Sequence, residues 1–160
     1  MEFESYNMID SIERVDFSKD LIRCKTLVPL SSKIFDQHFP GYPIVPGVVL
    51  TEAMAQSAGF HSIIECDFQR GVILTGIEKV EFISTAVSGD ELVCYCKRLK
   101  KENSGGKSYI GVVLKNNQVI TKAEIKLLEI DYPSAEMKQF MMDKIHRLLK
   151  NEATAAALPC

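Results

Sequence analysis

The stretch from Val48 to Glu65 does most to narrow the folds open to this chain. Its larger apolar residues, Leu50, Met54, Phe60, Ile63 and Ile64, fall on more than one side of a helix, and Ala53, Ala55, Ser57, Ala58 and Gly59 between them are small. A surface helix keeps a polar face; one that is apolar on several sides is buried on several sides. Small side chains also let a second backbone come close. Wrapping the helix in a curved antiparallel sheet meets both demands.

The rest of the chain supplies strands for such a sheet. Residues up to about 35 are rich in Ile, Val, Leu and Phe, with 16–20 reading as a turn between two strands. After the helix come candidate strands at 71–77, 80–84, 91–101, 107–115 and 118–130. The last alternates, with Val119, Thr121, Ala123, Ile125 and Leu127 on one face and Lys122, Glu124 and Lys126 on the other. Asn116-Asn117 suits the positive backbone angles of a two-residue hairpin turn, and Ser104-Gly105-Gly106 a looser one. One long helix followed by a run of strands reads as α+β. Asp131-Tyr132-Pro133 ends the strand pattern. Ser134 can cap a helix over 135–150 whose Met137, Phe140, Met141, Ile145, Leu148 and Leu149 form an amphipathic stripe. The expected organisation is one core over 1–131, a C-terminal helix over 132–150, and a flexible tail over 151–160.

Composition excludes several classes. A chain of 160 residues favours a single core, and its net charge of −2 gives no bulk attraction to nucleic acid or an anionic membrane. No apolar run approaches membrane-spanning length, and Met1-Glu2-Phe3-Glu4 does not read as a signal peptide. Five cysteines, at 24, 66, 94, 96 and 160, show no metal-ligand grouping. Reduced thiols in a cytoplasmic protein are the simplest account.

The chemistry concentrates in His38 to Gln56, HFPGYPIVPGVVLTEAMAQ. Three prolines and two glycines make the lead-in stiff and non-repetitive. It presents an imidazole, His38, beside the start of a helix that carries Glu52 and, one turn later, Gln56. An imidazole accepts a proton near neutral pH, a buried carboxyl can donate one, and a helix N-terminus favours negative charge. Alone, His38 reads as a loop histidine and Glu52 as a carboxylate complementing the helix dipole; together they read as an acid/base pair.

This segment resembles the signature of the FabZ-type beta-hydroxyacyl-[acyl-carrier-protein] dehydratases, with the FabA type more distant. The resemblance rests on His-Phe-Pro-Gly at 38–41, Pro-Ile-Val-Pro-Gly-Val at 43–48 and Glu-Ala-Met-Ala-Gln at 52–56, and extends more weakly from about Met8 to Ile130. It implies the hotdog fold. It also implies dehydration of a beta-hydroxyacyl thioester to the trans-2-enoyl product in acyl-chain biosynthesis, with no metal and no organic cofactor. On this resemblance His38 is the base, Glu52 the acid, and the Gly47 N–H a donor to the enolate-like thioester oxygen. The Ile44 carbonyl would fix the imidazole tautomer, Val48 would join the substrate-binding segment, and Gln56 would orient Glu52. The implied partners are an acyl carrier protein and a second copy of the chain. In that homodimer the sheets join edge to edge and His38 of one subunit faces Glu52 of the other; further assembly into a trimer of dimers stays open.

Departures from the family pattern are specific. Gln37 stands where the family has glycine, and Glu81–Ala86 lacks the Lys, Arg and Pro often found there. Lys97, Arg98, Lys100, Lys101 and Lys107 could replace that charge at a carrier-protein surface, or simply solvate a strand face. The C-terminal helix is additional, and it is expected to dock on the outer face of the sheet or across the dimer, away from His38. His61 reads as structural, and Cys94 and Cys96 as packing on one strand face. The competing functions are a hotdog thioesterase or coenzyme-A hydratase, and a non-catalytic acyl-thioester-binding subunit.

Overall fold

The computed structural model describes residues 8–34 and 38–155. Strand β1 (Ser11–Asp16) returns through a tight turn into β2 (Leu21–Leu27). The Asp16 carboxylate holds that turn by accepting from Ser18 Oγ at 2.6 Å and the Lys19 N–H at 3.2 Å. Helix α1 (Gly47–Glu65) follows, then β3 (Gly71–Phe82), β4 (Glu91–Lys101), β5 (Gly106–Lys115), β6 (Gln118–Ile130) and helix α2 (Ala135–Ala155). The six strands form one antiparallel sheet in the order β1-β2-β4-β5-β6-β3.

The sheet curves around α1, which contacts β2, β3, β4, β5 and β6. Leu50, Met54, Ala58, Phe60 and Ile63 are buried on its several sides, as are Ser57, His61 and Ser62. Close approach has a concrete cause at Gly111 on β5. A Cβ there would meet Met54 Sδ at 2.8 Å and Met54 Cβ at 3.0 Å, so the helix can sit this close only over a glycine. Asn116 and Asn117 take φ values of 50° and 62°, the paired left-handed angles of a two-residue hairpin between β5 and β6.

Two strand expectations change in detail. Residues 71–77 and 80–84 are not separate strands: β3 runs through both to Phe82, with Lys79 at φ 49° and a slip in pairing between Glu78 and Glu81. A β-bulge absorbs what the sequence presents as a break. A second slip, opposite Val113 and Leu114, displaces the start of β6. Ile120 is therefore buried and Val119 exposed, while Thr121, Ala123, Ile125 and Leu127 keep the expected buried face.

At one end of the sheet, α2 packs against β1. The Ser134 hydroxyl caps it by accepting the Met137 N–H at 3.2 Å. Ile145 and Leu148 are buried and Met141 and Met142 pack on the same core, whereas Met137, Phe140 and Leu149 stay exposed. The helix continues to Ala155; residues 156–160, Cys160 among them, lie outside the described residues. The opposite edge, β3, pairs among the described residues only with β6 and exposes Ile73, Leu74, Val80 and Phe82.

Candidate active site

The proline-rich lead-in is pinned at its far end. The Val45 N–H donates to the Ala86 carbonyl at 2.8 Å, and Ile44 bridges to Val87. Gly41, at φ 81°, turns the chain just after His38, and the Tyr42 N–H donates to the Phe39 carbonyl at 2.9 Å. Pro46 precedes α1 without a capping side chain, so among the described residues the first N–H groups of the helix, that of Gly47 included, have no side-chain acceptor. The Phe82 ring lies directly on Gly47: a Cβ at that position would stand 2.6 Å from the ring. A larger residue there would have to push the exposed Phe82 ring aside.

His38, Ile44, Gly47 and Val48 line one cavity of about 320 Å³ together with Pro46, Phe82, Ser84 and Thr85. The His38 side chain is exposed, its ring 4.8 Å from that of Phe39, and Val48 is 70% exposed. Among the described residues no hydrogen bond joins the His38 ring to the Ile44 carbonyl. Gln37 lies outside the described residues.

Glu52 and Gln56 line a different cavity, of about 270 Å³. Gln56 Nε2 donates to Glu52 Oε1 at 3.0 Å, the contact expected from their i,i+4 spacing. Gln56 Oε1 is buried and has no hydrogen-bond partner among the described residues, so it can accept from a further donor. Ala55, Gly59, Phe60 and Ile63 of α1, Val72 and Leu74 of β3, and Leu127 of β6 make the rest of this cavity largely apolar. It also holds two residues that the motif did not indicate, Met141 and Lys144 of α2. Burial lowers the pKa of the Lys144 ammonium and the nearby Glu52 carboxylate opposes that shift. One signal in the sequence could have found Lys144: it sits three residues after Met141 and one before Ile145, a cation inside an apolar stripe.

A single chain therefore brings Glu52 to Gln56, and His38 to Gly47, Ile44 and Val48, but the two cavities share no lining residue. The expectation that α2 docks away from His38 agrees with this arrangement, since no α2 residue lines the His38 cavity. Its placement nonetheless differs from the outer sheet face, because it reaches the Glu52 cavity of its own chain.

The other candidates resolve into structural roles. His61 is buried, its Nδ1 3.1 Å from the Tyr109 hydroxyl. Cys24, Cys94 and Cys96 are buried free thiols. Of the five proposed docking cations, Lys107 is buried and bonds Ser62 Oγ at 2.8 Å, Glu65 at 2.9 Å and Glu129 at 2.6 Å. Arg98 pairs with Glu65 and Asp20, Lys101 with Glu65 and Lys100 with Glu102. Much of this charge is committed to the chain's own carboxylates.

Comparison with known proteins gives the family and the fold. Residues 3–124 match the FabA-like domain family. A 3-hydroxyacyl-[acyl-carrier-protein] dehydratase FabZ from Hydrogenobaculum sp. is 31% identical over 119 residues, which cover 72% of this chain and 79% of that protein. The FabZ of Clostridium tetani is 32% identical over 123 residues, covering 76% of this chain and 84% of its own length. Among solved structures, the dehydratase heterocomplex ApeI:P from Xenorhabdus doucetiae superposes with a TM-score of 0.62 at 15% identity, covering 86% of this chain and 90% of that one. A thioesterase from Haemophilus influenzae gives 0.57 at 12% identity, covering 78% and 81%. At such identities the structures speak for the fold, and the fold is the hotdog: one antiparallel sheet around a central helix.

Proposed function

Since the chain belongs to the FabA-like family, among FabZ-type dehydratases, we propose that it removes water from a 3-hydroxyacyl thioester carried on an acyl carrier protein. His38 takes the C2 proton as general base. Glu52 gives a proton to the departing C3 hydroxyl, directly or through a water, and the trans-2-enoyl thioester is left. The Gly47 N–H, at a helix start with no side-chain cap, donates to the thioester oxygen as it gains enolate character. Gln56 holds Glu52 by their 3.0 Å bond.

The observation that carries this reading is the division of the motif between two cavities along one open edge. Val72 and Leu74, near the start of β3, line the Glu52 cavity; Phe82, at its end, lines the His38 cavity. When two β3 strands pair antiparallel about a two-fold axis, the Phe82 end of one lies beside the Val72 end of the other. His38 of one copy then approaches Glu52 of its partner, and the apolar side chains on this unpaired edge are covered. The functional unit on this reading is a homodimer with two composite sites.

The test is an assay of purified protein on 3-hydroxyacyl-carrier-protein substrates, following enoyl formation and thioester hydrolysis in parallel. Dehydration without hydrolysis is expected, with His38→Ala and Glu52→Gln each folded and slower by roughly a hundredfold to ten-thousandfold. Hydrolysis as the dominant reaction would move the chain to the thioesterases. Near-wild-type dehydration in either folded variant would end the assignment of these two residues.

A further inference from the structure

The C-terminal helix does more than cover the core. Met141 and Lys144 face into the cavity that contains Glu52, opposite an otherwise largely apolar lining from α1, β3 and β6. Lys144 is half-buried, and its Nζ stands 5.6 Å from the centroid of the Phe60 ring, within the range of a cation–π contact. Ile145 and Leu148, buried on the neighbouring turns, anchor the helix so that the ammonium is held in place. An alkyl chain running from Glu52 toward Gly59, Ile63 and Leu127 would have to pass this cation, which stands over Phe60 in the same cavity. Each further methylene would then strip water from the ammonium or displace it from the ring, and neither contact repays burial of the charge.

Building on the dehydratase reading, we propose that α2 forms one wall of the acyl cavity and that Lys144, with Met141, is a specificity-determining residue that restricts the enzyme to short 3-hydroxyacyl chains. The wall comes from the chain's own α2, so acyl length is limited within one subunit even when the catalytic pair is shared between two.

The test uses full-length protein and two sets of ligands. One is a series of 3-hydroxyacyl thioesters from four to twelve carbons, read as kcat/KM. The other is the matching unreactive saturated acyl-pantetheine thioethers, read as Kd by calorimetry. Wild-type protein is expected to favour the four- to six-carbon members. Lys144→Met, which keeps length and removes charge, should raise the ten-carbon to four-carbon ratio by roughly tenfold or more in both series. Met141→Ala should move the ratio in the same direction by opening the wall, and Lys144→Arg should keep the wild-type ratio. An unchanged ratio in both Lys144→Met and Met141→Ala, with thermal midpoints like wild type, overturns the proposal, as does a wild-type preference for the longest chains. A Lys144→Met variant that loses affinity for all lengths equally also overturns it, since the residue would then be a general binding contact. If the wild type dehydrates nothing but binds the thioethers with the expected ratios, the dehydratase reading fails while the wall stands.

Discussion

At the scale of single residues, His61 shows how a polar side chain placed for packing acquires a pH signature. Burial and the nearby Arg98 guanidinium hold its pKa below the ordinary imidazole value, with Glu65 opposing. Below about pH 6.5 the unfolded chain takes up a proton here that the folded chain resists, so stability falls as pH drops through that value. Glu65 acts in a lower window. Burial raises its pKa, but bonds from Arg98 and Lys107 outweigh that and hold it at about 2, so its contribution is complete above about pH 4.5 and is lost as pH falls toward 2. The two are separable: His61→Gln should flatten the loss of thermal midpoint between pH 7 and pH 5, leaving the steeper acid limb intact. A slope unchanged by the substitution would assign the proton uptake to another group. Neither residue announces this in the sequence, because burial of His61 depends on Tyr109, forty-eight positions away and placed by strand pairing.

At the scale of elements, legibility followed periodicity. Helix α1 could be placed almost to the residue because its apolar positions and small residues repeat at helical spacing, and the β5–β6 hairpin because two asparagines fit an angle few residues accept. The bulges at Lys79 and opposite Val113 were not legible: a slip in register is a property of two strands, and each looks ordinary by itself. The site divides in the same way. Its motif residues fall in one short segment, His38 to Gln56, and are readable, while Phe82, Met141 and Lys144 enter from elements brought there by the tertiary fold. Helix α2 carries a prediction of its own. Ending the chain after Ile130 removes the buried Ile145 and Leu148 and uncovers β1. Burial of such side chains contributes roughly 1.5–3 kcal/mol each, so the truncated protein should melt several degrees lower and associate more readily. Scanning calorimetry with sedimentation checks this, and equal stability and dispersity would show that the helix covers nothing of consequence.

For the whole molecule, the prediction concerns which copy supplies which half of the site. Inactive His38→Ala and inactive Glu52→Gln proteins, mixed under conditions of verified subunit exchange, should regain activity, because half of each mixed dimer's sites contain both intact residues. Recovery is bounded by the share of mixed dimers, about half at equal mixing, so a yield near a quarter of wild-type activity is expected from one good site per mixed dimer. No recovery despite exchange would place the acid and base within one chain.

The open β3 edge, with the Glu52 cavity at one end and the His38 cavity at the other, has a thermodynamic corollary. If the site is composite as proposed, a substrate seated across that seam touches two molecules at once, so binding and association become linked equilibria. By reciprocity, whatever factor dimerisation adds to substrate affinity, bound substrate must add to the association of the two chains. The acyl thioester is then a reactant and also a clamp, holding together the assembly that consumes it.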